Sequence, residues 1–167
     1  MDTVTEYFAA ERAESLFFMV VGTVALLAAA LAWSGRWLAH GTAALRRGLA
    51  GALVAVALIQ ITVGATVWRR SPLDAQRVTG QMQTDRARIA EQEVRRMQAV
   101  MRNFEIYRWV EWALLVAGLG LGWRAGAGST ARGVGAGLAP QSALMLVLDH
   151  FAEERGETYL AFLRALG

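Results

Sequence analysis

The sequence predicts an all-α integral membrane protein: four transmembrane helices in a bundle, with an extended amphipathic helix between the second and the third. Three observations carry this expectation. Four stretches, 15–33, 49–68, 109–123 and 133–151, are apolar and almost free of charge, and about 20 such residues cross a bilayer as a helix. The chain of 167 residues is 55% hydrophobic, whereas roughly 45–50% apolar is usual in a soluble domain. All six Trp residues fall at the ends of these stretches. Trp68, Trp109 and Trp112 lie at the end shared with the N-terminus (side A), and Trp33, Trp37 and Trp123 lie at the other (side B). Aromatic belts form at both membrane interfaces, and three or five spans would break the pattern.

The chain opens on an acidic lead-in. Residues 1–14 hold Asp2, Glu6, Glu11 and Glu14 against Arg12 alone. A signal peptide needs the opposite charge there, so residues 15–33 read as a retained first span. A short basic loop, 34–48, leads to the second span, which ends at Trp68-Arg69-Arg70. Residues 69–107 read as an extramembrane helical excursion within a single domain. Ser71-Pro72-Leu73-Asp74 has the form of a helix start, and Gly80 and Thr84-Asp85 mark an interruption or a restart. From Ile89 to Tyr107 the apolar residues Val94, Met97, Val100, Met101 and Phe104 follow at steps that keep roughly one helical face. The other face carries Arg88, Glu91, Arg95, Arg96 and Arg102. This helix is expected to run into the third span with little or no break. The third span, 109–123, is short and needs some of 125–128 to complete its crossing. The fourth contains Pro140 and should kink there. The tail, 152–167, reads as a short interfacial helix.

With no Cys, disulfides, thiolate metal sites and Cys nucleophiles are excluded. Every one of the 17 basic residues is Arg, which suits phosphate or lipid headgroups but equally reflects a GC-rich genome. Nucleic acid is set aside: the net charge is only +3 and acids are interleaved with the Arg residues. The compartment expected is a bacterial inner membrane, multi-pass, with both termini on side A. Side A holds 12 of the Arg residues and side B five, which puts the termini in the cytoplasm by basic-residue count. The flanks of the first span point the other way.

Side A gathers acids from three helices: Glu11 and Glu14 before the first span, Glu111 inside the start of the third, and Asp149, His150, Glu153 and Glu154 at the end of the fourth. Carboxylate and imidazole on facing helices can bind a divalent metal, and Glu111, His150 and Glu153 are the candidate ligands. The helical order here is His-x-x-Glu, the reverse of the di-iron pattern. The alternative is an ion-pair network with Arg12, Arg108 and Arg155. Glu111, set between Trp109 and Trp112, is the acid most exposed to desolvation. Arg108 is its expected structural partner, and proton-linked chemistry is its functional alternative. Deeper in the span, Gln60 and Gln141 each need an interhelical partner, and the simplest arrangement has Gln60 meet Gln141 or the backbone carbonyl of Ala136 or Gly137 freed by Pro140. Gly118, Gly120 and Gly122 should pack the third span against Gly133, Gly135 and Gly137 of the fourth.

Three classes of function remain open. The first is an interaction or scaffold protein, self-associating or bound to another membrane protein within the lipid bilayer. The second is a metal- or small-molecule-binding protein or enzyme built on the side A acids. The third is a transporter or channel subunit lined by Gln60, Gln141 and Glu111. Whether the chain is an enzyme stays undecided at this level.

Overall fold

In the computed structural model the chain is described over residues 2–36, 38 and 40–166. Trp37 lies outside the described residues. Four helices make up the fold, α1 Asp2–Trp33, α2 Ala43–Thr84, α3 Arg86–Arg124 and α4 Thr130–Arg164, and no strand occurs among the described residues. Side-chain caps start three of them. Thr42, Asp85 and Ser129 accept from the backbone N–H groups of Leu45, Arg88 and Arg132 at 3.1, 3.1 and 3.2 Å, each satisfying one orphan donor of a first turn. Asp85 also closes α2, its N–H donating to the Gln81 carbonyl. One residue is thus the whole turn between α2 and α3.

Two helices, α1 and α2, are long and apolar enough to cross a membrane by length and composition. The apolar part of α3 is short, and that of α4 is diluted by Gly, Gln141 and Ser142. The helices have 32, 42, 39 and 35 residues, so they run roughly 48–63 Å. All four therefore overrun a hydrocarbon layer of roughly 30 Å.

That excess length corrects the sequence reading in two places and decides it in a third. First, Ser71-Pro72 does not start a helix, because α2 continues through Pro72 and Gly80 to Thr84. Tertiary contact outweighs the local signal there: Ser71 is buried, and its hydroxyl donates to Glu11 Oε2 at 2.6 Å and to the Val67 carbonyl at 2.9 Å. Second, the tail is not a separate interfacial helix but the last turns of α4, with Leu160 and Leu163 buried. Third, the apolar face of the 69–107 piece, which a neighbouring helix, a second protomer or the membrane surface could equally have covered, packs on neighbouring helices. The ends of all four helices form a head with its own core of Val4, Phe8, Val78, Ile89, Met97, Tyr159, Leu160 and Leu163. The continuous run from amphipathic helix into the third apolar stretch is present as α3.

Beyond the head, packing depends on small residues. α1 lies along α2, α2 along α4 and α4 along α3, while α1 and α3 touch through side chains in the head, where Tyr7 and Phe8 meet Met97 and Arg96. Ala25, Ala29 and Ala32 meet Ala50, Leu53 and Ala57 between α1 and α2. A Cβ on Gly133 would stand 2.0 Å from the Leu45 carbonyl oxygen, and one on Gly135 2.5 Å from that of Gly118. α4 thus turns Gly133 and Gly137 to α2 and Gly135 to α3. At the end remote from the head the two loops meet, Thr42 donating its hydroxyl to the Gly128 carbonyl. Gly128 has φ +79°, and a Cβ there would lie 2.7 Å from Thr42 Cγ2.

The outer surface below the head is apolar on every helix. Leu16, Phe17, Val20, Val24 and Leu27 are half exposed on α1, Leu58 and Ile59 on α2, Val110, Val116 and Leu119 on α3, and Val147 and Phe151 on α4. The five described Trp residues are all on this surface, from Trp68 at 37% exposed to Trp123 at 90%.

Candidate functional site

The border between head and apolar band is a layer of charge. α1 and α2 run antiparallel, and a Cβ on Gly64 would stand 2.7 Å from the Ser15 carbonyl oxygen. Residues 11–14 therefore sit at the height of 68–71, and the end of the apolar stretch of α4 meets the start of that of α3. Ion pairs between helices fill this layer. Arg70 of α2 lies 3.3 Å from Glu11 of α1, Arg155 of α4 pairs with Glu14 of α1, and Arg108 of α3 lies 2.7 Å from Glu153 of α4. Arg12 pairs with no carboxylate among the described residues; its guanidinium lies 4.6 Å from the centroid of the Trp68 ring.

Arg108 is not the partner of Glu111, which corrects the sequence expectation. A neighbour three residues back on the same helix loses to Glu153 on the facing helix, whose carboxylate is free to take it. Glu111 is instead 4% exposed and faces Asp149 of α4, carboxyl to carboxyl. Glu111 Oε2 has no partner. Two carboxylates facing each other away from water repel, so this pair is a place where a proton or a cation would relieve the repulsion.

His150 does not join the pair. It is exposed, and its ring stands 5.7 Å from that of Phe151. Glu154 is exposed as well. Glu111, His150 and Glu153 are not assembled as ligands, since no group of three His, Asp or Glu side chains suited to a metal ion occurs among the described residues.

Half-way along the apolar stretches, Gln60 of α2 donates to Gln141 Oε1 of α4 at 3.3 Å. The two amides do meet, so each desolvated group finds its partner across the α2–α4 contact. Gln60 Oε1 and the Ser142 hydroxyl, both fully buried, keep unused hydrogen-bonding capacity.

The head contains a centre absent from the sequence reading. Glu93 is 1% exposed; Arg96 Nε lies 2.7 Å from its Oε1 and Arg77 3.5 Å from its Oε2. Arg96 also lies over the Phe8 ring at 5.5 Å. Above it Tyr7 stacks on Tyr159 and donates to Met97 Sδ at 3.6 Å. The signal for Glu93 was available: it stands four residues from both Ile89 and Met97, on the apolar stripe itself. An acid in that position has to be paired or desolvated.

These features divide by chemistry. The Glu93 centre and the interhelical ion pairs have their charges answered and hold helices together. Among the described residues the Glu111–Asp149 pair forms no ion pair with a cation, and Arg12 none with an anion. No protein-family model, no curated protein and no solved structure matches the chain.

Proposed function

We propose that all four helices cross a lipid bilayer and that the protein is an interaction or scaffold protein, carrying its four-helix head as a rigid platform at the membrane surface for a second copy or another membrane protein. The observation that carries the membrane part is the apolar outer surface of α3 and α4 at the height of α1 and α2. Burying one side chain such as Leu119 or Val116 is worth roughly 1.5–3 kcal/mol. A band of them on every helix belongs in lipid rather than water, and the Trp residues at its two edges fit the interfaces. The scaffold part is supported by the use of the border acids: Glu11, Glu14 and Glu153 are engaged in ion pairs between helices. Each helix runs from band to head as one continuous element, which ties the head to the spans.

The absence of Cys makes topology directly testable. Single cysteines at Ser34 and Gly126 should be labelled from one side of sealed vesicles, and cysteines at Glu6 and Glu157 from the other. Labelling of Ser34 and Gly126 from opposite sides would refute four spans. For the scaffold reading, native mass spectrometry from mild detergent should show a defined homo-oligomer or hetero-complex. A monomer holding a stoichiometric metal or small molecule would overturn it. A second reading, proton- or cation-linked chemistry, is favoured by one feature, the desolvated Glu111–Asp149 pair with its free Oε2.

A further inference from the structure

The geometry points to a phospholipid site of defined chemistry on the α1–α2 face: an anionic lipid whose phosphate is held by Arg12 and whose acyl chain descends past Leu16. This rests on the membrane reading above. A groove of about 510 Å³ runs between the two helices across the border layer. Because the helices are antiparallel, its lining is ordered by height. Gln76 lies at the head end, Phe8, Arg12 and Pro72 in the middle, and Trp68 and Leu16 where the apolar band begins. A lipid has the same order, with polar headgroup, phosphate and then hydrocarbon.

Charge selects the occupant. Glu11, Glu14, Arg70, Arg108, Glu153 and Arg155 are all answered by a protein partner in this layer. Arg12 is exposed, pairs with no carboxylate among the described residues and has the Trp68 ring beside it, and unlike the equally exposed Arg69 it lines the groove. A guanidinium over an indole leaves N–H donors free, and these match phosphate oxygens. Pro72 adds a second polar feature. It has no N–H to return to the Trp68 carbonyl, so that oxygen is left for another donor, such as a headgroup hydroxyl. Below, Leu16 is 52% exposed, and Phe17 and Val20 continue the apolar surface an acyl chain would follow.

The test uses the full chain in mild detergent with a mixture of phosphatidylglycerol and phosphatidylcholine, bound lipid being counted by native mass spectrometry. One Arg at a membrane surface gives a preference of about five-fold for the anionic lipid, and Arg12→Gln should abolish it. Ala13→Trp, which fills the groove and leaves Arg12 in place, should displace the lipid as well. Arg69→Gln, an exposed change at the same height outside the groove, should leave the preference intact. Equal loss in Arg69→Gln and Arg12→Gln would overturn the site in favour of diffuse attraction. So would an unchanged preference in Arg12→Gln, or loss of a bound protein chain rather than of lipid. A chain that stays soluble without detergent and carries no lipid of either class would instead refute the membrane reading, which vesicle labelling reports separately.

Discussion

The buried Glu93 and the partly buried Arg96 form an ion pair, 2.7 Å apart, one turn of α3 inside the head. Arg77 approaches the same carboxylate from α2, so the pair joins two helices at the core rather than decorating one. Removing one partner of a buried pair leaves an uncompensated charge, which costs about 3–5 kcal/mol, whereas replacing both with apolar groups is often neutral. Glu93→Leu should therefore destabilise strongly. The double change Glu93→Leu with Arg96→Met should recover most of the loss. Unfolding of single and double variants followed by circular dichroism checks this. A double variant no better than the worse single one would show that the charges are not coupled.

The head should loosen in alkali. Burial, with the Glu11 carboxylate adding to it, pushes the Tyr7 hydroxyl from its ordinary 10.0 to about 12. Burial also pushes the Tyr159 hydroxyl up. A group with a raised folded pKa contributes stability that is complete below its unfolded pKa and is lost as pH rises through the folded one. Tyr7 should thus withdraw up to about 2 kcal/mol between pH 10 and about 12. Stability measured against pH should fall over that window in the native chain and fall less in Tyr7→Phe. Parallel curves would refute the assignment.

The two stacked tyrosines should respond differently to losing a hydroxyl. Tyr7 uses its hydroxyl on Met97, but the Tyr159 hydroxyl is buried without a partner. An unsatisfied buried group is a standing penalty, and removing it can be neutral or stabilising. Tyr159→Phe keeps the ring that stacks at 4.1 Å on Tyr7. It should raise stability by about 1 kcal/mol. A loss of similar size would mean that a water or ligand satisfies that hydroxyl in the native protein.

What the sequence made legible was what depends on one helix at a time. Helix type and α3 continuity followed from periodicity and length, and the Gln60–Gln141 bond from the scarcity of polar groups in those stretches. What it hid depends on where helices end relative to each other. Val4 and Phe8, or Leu160 and Leu163, show a spacing that suits a membrane surface and a helical neighbour equally. Only the antiparallel meeting of the four ends selects the neighbour. Arg108 looked committed to Glu111 because same-face spacing is visible in sequence, and Glu153 on another helix is not. Asp149 was legible as a member of the border layer, but its pairing with Glu111 was not. Ser71-Pro72 resembled a helix start because the signal is local, while Glu11, 60 residues away, decides the outcome.

Glycines should divide sharply by position. Gly133 and Gly48 sit where a Cβ would come within 2.0 and 2.1 Å of backbone carbonyl oxygens across the α2–α4 contact, whereas Gly51 and Gly120 face open space. Backbone cannot yield as a flexible side chain does, so Gly133→Ala should force α2 and α4 apart and cost about 1–3 kcal/mol. Gly51→Ala meets nothing and should gain up to about 1 kcal/mol from reduced backbone freedom. Thermal unfolding in detergent distinguishes them, and equal effects at the two positions would refute the packing described.

The Glu111–Asp149 pair offers the sharpest decision between structure and chemistry. Glu111→Gln keeps the shape and offers an N–H donor to Asp149 in place of a facing carboxylate. If the pair is structural, the variant should fold and gain about 1–2 kcal/mol at neutral pH, the worth of a hydrogen bond to a charged group. Asp149→Asn should act in the same direction, and the two changes together should not add, because each answers the same repulsion. Unfolding at neutral pH with and without added divalent cation reads both possibilities. Loss of stability in Glu111→Gln, together with a cation-induced gain confined to the native chain, would mean that the two carboxylates hold a metal ion; the pair would then be a binding site rather than part of the scaffold.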